Sequence, residues 1–234
     1  MIRSLKATVL DGKLRVVASR SVHFDSELPH YKTRDGVHRA TTNASSAGGT
    51  VTAPVLMWVD ALELLLDKLQ ADGFPFERVV AVSGSGQQHG SVYWRRGSGI
   101  VALQGLHPGH TLSSQLKDAF SLTDSPVWMD SSTSAQCRAI EAALGGAATL
   151  SDITGSRAYE RFTGPQIRKI YEHRREVYDE TERISLVSSF MASLLVGNYV
   201  SIDHSDGAGM NLMDLKQRVW SKIVLDVSLL ETCS

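Results

Sequence analysis

The sequence predicts one domain of mixed α/β or α+β class, and three observations predict it. Apolar and polar residues alternate near the start around an Asp-Gly turn, the mark of a hairpin. A long amphipathic helix pattern and two short apolar runs follow. From about residue 113 onward the apolar residues keep to helical spacing. A hairpin, a helix, strands and further helices in that order belong to a domain whose helices pack on sheets. No internal repeat or low-complexity linker divides the 234 residues, so one domain is the expected count.

In chain order, Leu5, Ala7 and Val9 alternate with Lys6 and Thr8, Asp11-Gly12 supplies the turn, and Leu14 to Val22 returns. Residues 25–53 are polar, rich in Gly and Ser and without period, which predicts a long loop. APVLMWVDALELLLDKLQADG then predicts a helix, with Thr52 as N-cap, Pro54 in the first turn and Gly73 closing the end. Its Val55, Trp58, Val59, Leu62, Leu66 and Leu69 share one face. RVVAVS, from Arg78 to Ser83, reads as a short buried strand, and SVYW, from Ser91 to Trp94, as another. LSSQLKDAF, STSAQCRAIEAALGG, PQIRKIYEHRREVYDETE and SLVSSFMASLLVG all predict helices. The last, Ser185 to Gly197, carries four serines. It is shorter than the ~20 residues a bilayer span requires, so it is expected to be a buried helix.

Composition narrows the function. At 42% hydrophobic and 21% charged, the chain matches ordinary soluble globular proteins. A formal charge of −1 supplies no basic face for nucleic acid. Two cysteines, Cys137 and Cys233, are too few for a disulfide framework, and reduced thiols of a cytoplasmic protein are the expectation. MIRSLKATVL has a short basic start but no sustained apolar stretch with a cleavage site, so no targeting segment or membrane partner is expected.

The chemistry gathers at AVSGSGQQHG, residues 81–90, between the two predicted strands. A phosphate-binding loop would need G-x-x-x-x-G-K-[ST], but no Lys follows here. Gly84, Gly86 and Gly90 also miss the G-x-G-x-x-G spacing. What remains is a polar tip at the carboxyl end of a strand, a place where α/β proteins hold small ligands. Paired amide and imidazole groups suit a polyhydroxylated ligand, because each sugar hydroxyl wants one donor and one acceptor. Gln88 and His89 can equally satisfy loop backbone groups, and the residues alone leave both readings open.

Other candidates carry less. His107 and His110 in LHPGH lack a third metal ligand nearby and read as surface histidines. Ser83, Ser85 and Ser91 flank His89 without a G-x-S-x-G elbow. The alternating charges of RKIYEHRREVYDETER read as a solvated helix face. In WMDSS, Trp128 and Asp130 precede a helix, and Asp130 suits an N-cap or near-cap position. Arg161, among Tyr159, Phe162 and Gly164, either lines a pocket or snorkels over one. SIDHSDGAGMN reads as a tight polar turn and does not match an EF-hand loop.

In order, SGSGQQHGSVYW, PVWMDSSTSAQC, TGSRAYERFTGPQIRKIY, ERISLVSSFMASLLVG and SIDHSDGAGMNL resemble the amino-terminal domain of eukaryotic xylulose kinases. Those kinases are FGGY carbohydrate kinases with a ribonuclease-H-like, actin-like ATPase fold. The resemblance runs from about Leu5 to Trp220. It implies ATP-dependent phosphorylation of D-xylulose to D-xylulose 5-phosphate, with ATP and Mg2+ required. By the same resemblance His89 and Arg161 match sugar-contacting positions, and Gln88 and Trp128 line the same pocket. SIDHSDGAGMN is similar to a family segment that shapes the interdomain cleft. The side chains suit that chemistry, since Arg stays charged at any working pH and neutral imidazole accepts from one hydroxyl while donating to another.

The departures from the family set further expectations. The family begins with a strand carrying a D-x-[SG]-[ST] turn for phosphates and metal, whereas MIRSLKATVL aligns with its second strand. The family's catalytic Asp lies in a G-D-N segment, and no such tripeptide occurs in the 234 residues. Residues 1–234 are therefore expected to form the sugar-binding domain, lacking its first strand and the carboxyl-terminal ATPase domain, and inactive alone. No catalytic, nucleotide-binding or metal-binding residue is assigned within them. Asp130, Asp203 and Asp206 are available carboxylates, but nothing in the sequence sets them opposite a γ-phosphate. An alternative is a non-catalytic pentose-binding or regulatory remnant that pairs with a full-length kinase. The strand beside the missing one is expected to have an unpaired edge, a site for pairing or aggregation.

Overall fold

Two antiparallel strands, β1 (Ser4–Leu10) and β2 (Val16–His23), open the fold as the predicted hairpin, with Leu5 opposite Val22. The Asp11 carboxylate closes their turn by accepting from the amides of Lys13 at 2.8 Å and Arg15 at 3.0 Å. A computed structural model describes residues 3–40 and 49–228. The stretch expected to be one long loop contains α1 (Phe24–Glu27), a 3₁₀ turn at Pro29–Tyr31, β3 (His38–Arg39) and β4 (Val51–Pro54). Residues 41–48 of it lie outside the described residues. The aperiodic polar pattern conceals this order, because a side chain organises it. Asp25 accepts from the Thr33 hydroxyl at 2.7 Å and from the amides of Asp35 at 2.6 Å and Gly36 at 2.9 Å.

The predicted long helix is α2 (Val55–Ala71), and Gly73 ends it with φ +72°. Thr52 is not its N-cap. It lies inside β4, and the chain passes from strand to helix at Pro54, where the Val55 amide is taken by the Thr123 carbonyl at 2.9 Å. A larger correction concerns Arg78 to Ser83, which forms no strand. Val80 is fully exposed and Val82 70% exposed. An apolar run becomes a strand only where a neighbour offers hydrogen bonds and cover, and none of the described strands lies beside this one.

The second apolar run does form its strand, β5 (Ser91–Arg95). After it come α3 (Ser98–Gln104), α4 (Leu112–Leu116), β6 (Asp124–Pro126), α5 (Ser134–Ala143) and α6 (Ala147–Thr154). Next are α7 (Thr163–His173), α8 (Arg175–Asp179), β7 (Thr181–Leu186) and α9 (Val187–Val196). The last described elements are α10 (His204–Ala208), β8 (Met213–Asp214), β9 (Val219–Trp220) and α11 (Lys222–Ser228). The pairs β5–β7 and β8–β9 and the trio β3–β4–β6 are all antiparallel.

Three predicted helices change. The one over LSSQLKDAF stops at Leu116, and Ser185 and Leu186 belong to β7 rather than to the helix after it. The charged segment from Pro165 breaks at Arg174, whose φ of −142° and ψ of 56° are not helical, and is strand by Thr181. It is not solvated throughout. Arg168 is buried, held by Glu172 at 2.8 Å and by the Val227 carbonyl at 2.9 Å. Charge alternation locates a helix but not which cation another element covers.

Two apolar cores meet at β5. Val92 and Trp94 face one, with α2 residues, Phe120 and Phe190. Tyr93 faces the other, with Ile140, Leu150, Ile167 and Leu212. Successive strand residues point to opposite faces, so burial on both sides explains why SVYW reads as continuous rather than alternating. Trp94 donates its indole N–H to Ser185 Oγ at 3.0 Å and packs against Phe120, Phe190 and Tyr199 at ring distances of 5.0, 5.5 and 5.5 Å. Among the described residues no helix is long and apolar enough to cross a membrane.

Phe190→Ala should cost about 3–5 kcal/mol in urea unfolding. A loss below about 1 kcal/mol would contradict a core built on this cluster. Val80→Thr with Val82→Thr should leave the unfolding midpoint nearly unchanged and reduce self-association in analytical ultracentrifugation. Unaltered association would show that this exposed run is not the adhesive surface.

Candidate functional site

The site is built on the turn that enters β5. Gly86 is required there by close approach: a Cβ at this position would lie 2.5 Å from the Ser188 amide nitrogen at the start of α9. Gly90 is pressed in the same way against Val187. Between them His89 adopts φ +65°, a left-handed backbone that costs a non-glycine residue ~1 kcal/mol. Such strain is held where surrounding contacts over-determine it. Here the Gly90 carbonyl accepts from the Val187 amide at 3.1 Å, and the His89 carbonyl accepts from Thr163 Oγ1 at 3.4 Å.

The imidazole is fixed as firmly as its backbone. His89 Nδ1 lies 3.0 Å from the Gly209 carbonyl oxygen, which only accepts, so Nδ1 carries the proton. Burial pushes the His89 pKa below its ordinary value, and the Arg161 charge adds to that. The Gly209 bond and the Asp206 charge oppose the shift without reversing it. The ring is therefore neutral near pH 7, and Nε2 carries a lone pair that accepts a hydrogen bond.

Arg161 belongs to the Tyr159–Phe162 turn, closed by the Phe162 amide on the Tyr159 carbonyl at 3.0 Å. Its guanidinium lies over Tyr159 at 5.1 Å and Phe162 at 5.3 Å, and among the described residues it makes no ion pair. Phe162 also touches the His89 ring at 4.8 Å, so one buried aromatic supports both polar groups.

His89, Arg161, Gln88 and Trp128 converge, with Gly86 and Gln87, on one cavity of about 330 Å³. That is the lower end of the ~300–1,000 Å³ common for small-ligand sites. Trp128 offers a half-exposed indole, and Gln88 is exposed. Neutral acceptor, cationic donor, amides and an aromatic face together can hold a small hydroxylated molecule. Arg161 lines the cavity with its guanidinium over the two rings. Sequence reasoning does not single out Gln87 and Gly86 as lining residues. The signal for Gly86 is its spacing of four from Gly90, on either side of the amides and imidazole.

Other candidates lie elsewhere. Asp130 caps no helix: Thr133 holds the N-cap position of α5, while Asp130 is buried and accepts from Val51, Ser132 and Gln166. SIDHSDGAGMN is not only a turn, since Asp203 caps α10 by accepting from the Ser205 amide at 2.8 Å. Asp206 takes the Ser188 hydroxyl. His107 and His110 are exposed, their rings 6.0 Å apart. Ser91 is buried and donates to the Tyr93 hydroxyl at 3.3 Å, away from the imidazole. Burial pushes the Cys137 thiol up to about 11, which leaves it unreactive; Cys233 lies outside the described residues. Among the described residues no three His, Cys, Asp or Glu side chains are grouped to hold a metal ion.

Comparison with known proteins places this chain in a family. Residues 109–233, just over half the chain, match the model of the FGGY family of carbohydrate kinases, N-terminal domain. The chain belongs to the FGGY family of carbohydrate kinases. Xylulose kinase 2 of Arabidopsis thaliana is 59% identical over 226 residues, which are 97% of this FGGY chain and 40% of that protein. Xylulose kinase of Rattus norvegicus is 54% identical over 224 residues, covering 96% and 41%. The FGGY chain thus spans about 40% of the length of these relatives. The crystal structure of xylulose kinase from Rhodospirillum rubrum superposes with a TM-score of 0.70 at 13% identity, over 97% of this chain and 38% of that one. The fold is that of the sugar kinases, of the actin-like ATPase class.

Two measurements check the site. Gly86→Ala should destabilise by about 1–3 kcal/mol, because backbone on both sides has to move. A change within about 0.5 kcal/mol would refute the close approach. The sign for His89 follows from its depressed pKa: stability is present above the unfolded value near 6.5 and is lost as pH falls through the folded one. Denaturant unfolding at about pH 7.5 and about pH 5.5 should show wild type losing more on acidification than His89→Asn. Equal losses would mean the ring is not buried neutral.

Proposed function

We propose that this chain is the sugar-binding part of an ATP-dependent D-xylulose kinase, the enzyme that forms D-xylulose 5-phosphate. The observation that carries the reading is the convergence of His89, Arg161 and Gln88 on one cavity of small-sugar size. The names of relatives at 54% and 59% identity support the choice of sugar. In the proposed complex Nε2 of His89 accepts a hydrogen bond from one hydroxyl, since Nδ1 is committed to Gly209. Arg161 donates to hydroxyl or carbonyl oxygens, and its aromatic support limits the entropy lost when it engages. Gln88 adds a donor and an acceptor, and Trp128 offers a flat apolar face to the sugar's C–H groups.

When bound, ATP would supply the transferred phosphoryl group and Mg2+ would neutralise its charge. The described residues contain no ready ligand set for the ion. No described residue is assigned to the nucleotide or to the metal on this reading. A G-D-N segment is likewise not found in residues 1–234, and on this reading they bind sugar without spending ATP. The buried, unreactive Cys137 thiol fits a cytoplasmic setting.

Calorimetric titration of the purified chain with D-xylulose should give saturable heat, weakened about tenfold or more by His89→Ala and by Arg161→Ala. Equal heats for wild type and both variants would reject the pocket. Wild-type affinity should fall as pH drops through the lowered His89 pKa, because protonation removes the Nε2 acceptor. D-xylulose-dependent ATP consumption by this chain alone would reject the view that residues 1–234 only bind.

A further inference from the structure

Asp130 is 2% exposed and makes no ion pair among the described residues. Four donors meet its charge instead. Oδ2 accepts from the Val51 amide of β4 at 2.9 Å. Oδ1 accepts from the Ser132 amide at 2.9 Å, the Ser132 hydroxyl at 2.5 Å and the Gln166 side-chain amide at 2.7 Å. A cation stands one hydroxyl away, where Lys169 Nζ donates to Ser132 Oγ at 2.5 Å.

Gln166, also 2% exposed, faces two ways. The Nε2 that meets Asp130 also donates to the Glu160 carbonyl at 2.9 Å, and Thr133 Oγ1 reaches the same carbonyl at 2.7 Å. Asp130 follows Trp128 by two residues, and Glu160 immediately precedes Arg161. One side chain on α7 therefore joins the segments that carry two of the cavity's walls. A buried carboxylate without a cation is a poor source of stability, since apolar residues fill such space as well. What it does supply is direction, because charge-assisted hydrogen bonds from separate elements hold the loop in one place.

We propose that Asp130 and Gln166 form a positioning pair that sets the distance between the Trp128 indole and the Arg161 guanidinium. The fit of a sugar between those walls follows from that distance. This last consequence rests on the sugar-binding reading; the geometry does not.

The test uses the full chain in a Trp220→Phe background, where Trp128 is the exposed indole and Trp58 and Trp94 are buried. Gln166→Met removes both donors at similar volume, and Gln166→Glu sets a second carboxylate against Asp130. Each should increase acrylamide quenching of Trp128 and weaken D-xylulose binding about tenfold. His89→Ala should weaken binding without moving the quenching, which separates a positioning effect from loss of a contact. Unchanged quenching in folded Gln166 variants overturns the proposal, as does unchanged affinity beside a parent that binds. Altered quenching with no D-xylulose heat in the parent upholds the pair and rejects the sugar. Should both variants fail to fold, Ser132→Ala removes one donor to Asp130. It should then shift quenching in the same direction by less, and no shift overturns the proposal.

Discussion

The double burial of β5 is the constraint on which the rest depends. A strand with water on one face tolerates drift in its entry loop, whereas Val92 and Trp94 are locked into one core and Tyr93 into the other. Antiparallel pairing with β7 then sets its register, with Ser91 opposite Leu186. The turn ahead of β5 can only meet the start of α9, and it does so at Gly86 and Gly90. His89 inherits its place and its left-handed backbone from that closure.

The site also shows how a fold prepares neutral and charged groups side by side. His89 is kept uncharged by burial and by its cationic neighbour, and its free nitrogen is selected by the Gly209 carbonyl. Arg161 has no carboxylate partner among the described residues and is supported by the faces of Tyr159 and Phe162. An ion pair would stabilise Arg161 more but would occupy the donors a ligand needs. Phe162 links the two groups, so substitutions there would disturb both.

Much of this is legible in the chain. The hairpin itself follows from alternation about Asp11-Gly12, though not its register, and α2 follows from its apolar face. His89, Arg161, Gln88 and Trp128 are picked out by the resemblance of ordered motifs to a family, not by their local pattern, and they line one cavity. The failures have physical causes. RVVAVS looks like a strand because pattern records apolarity but not whether a neighbour exists to pair with it. Asp130 looks like a cap because only its Ser132 donors are local, while the Val51 amide and the Gln166 side chain that bury it come from 79 and 36 positions away. Arg168 looks solvated for the same reason, its carbonyl partner being at Val227.

Local order therefore came from the amino-acid sequence itself: which segments turn, which run as helix, and which residue types can donate to or accept from a hydroxyl. These depend on neighbours a few positions apart, and such neighbours are written consecutively. The tertiary structure alone decided that imidazole, guanidinium, amide and indole face one another, which nitrogen of His89 remains free, and that a buried carboxylate ties two walls together. Those outcomes depend on distances between residues up to 120 positions apart, as His89 and Gly209 are, and only packing sets such distances.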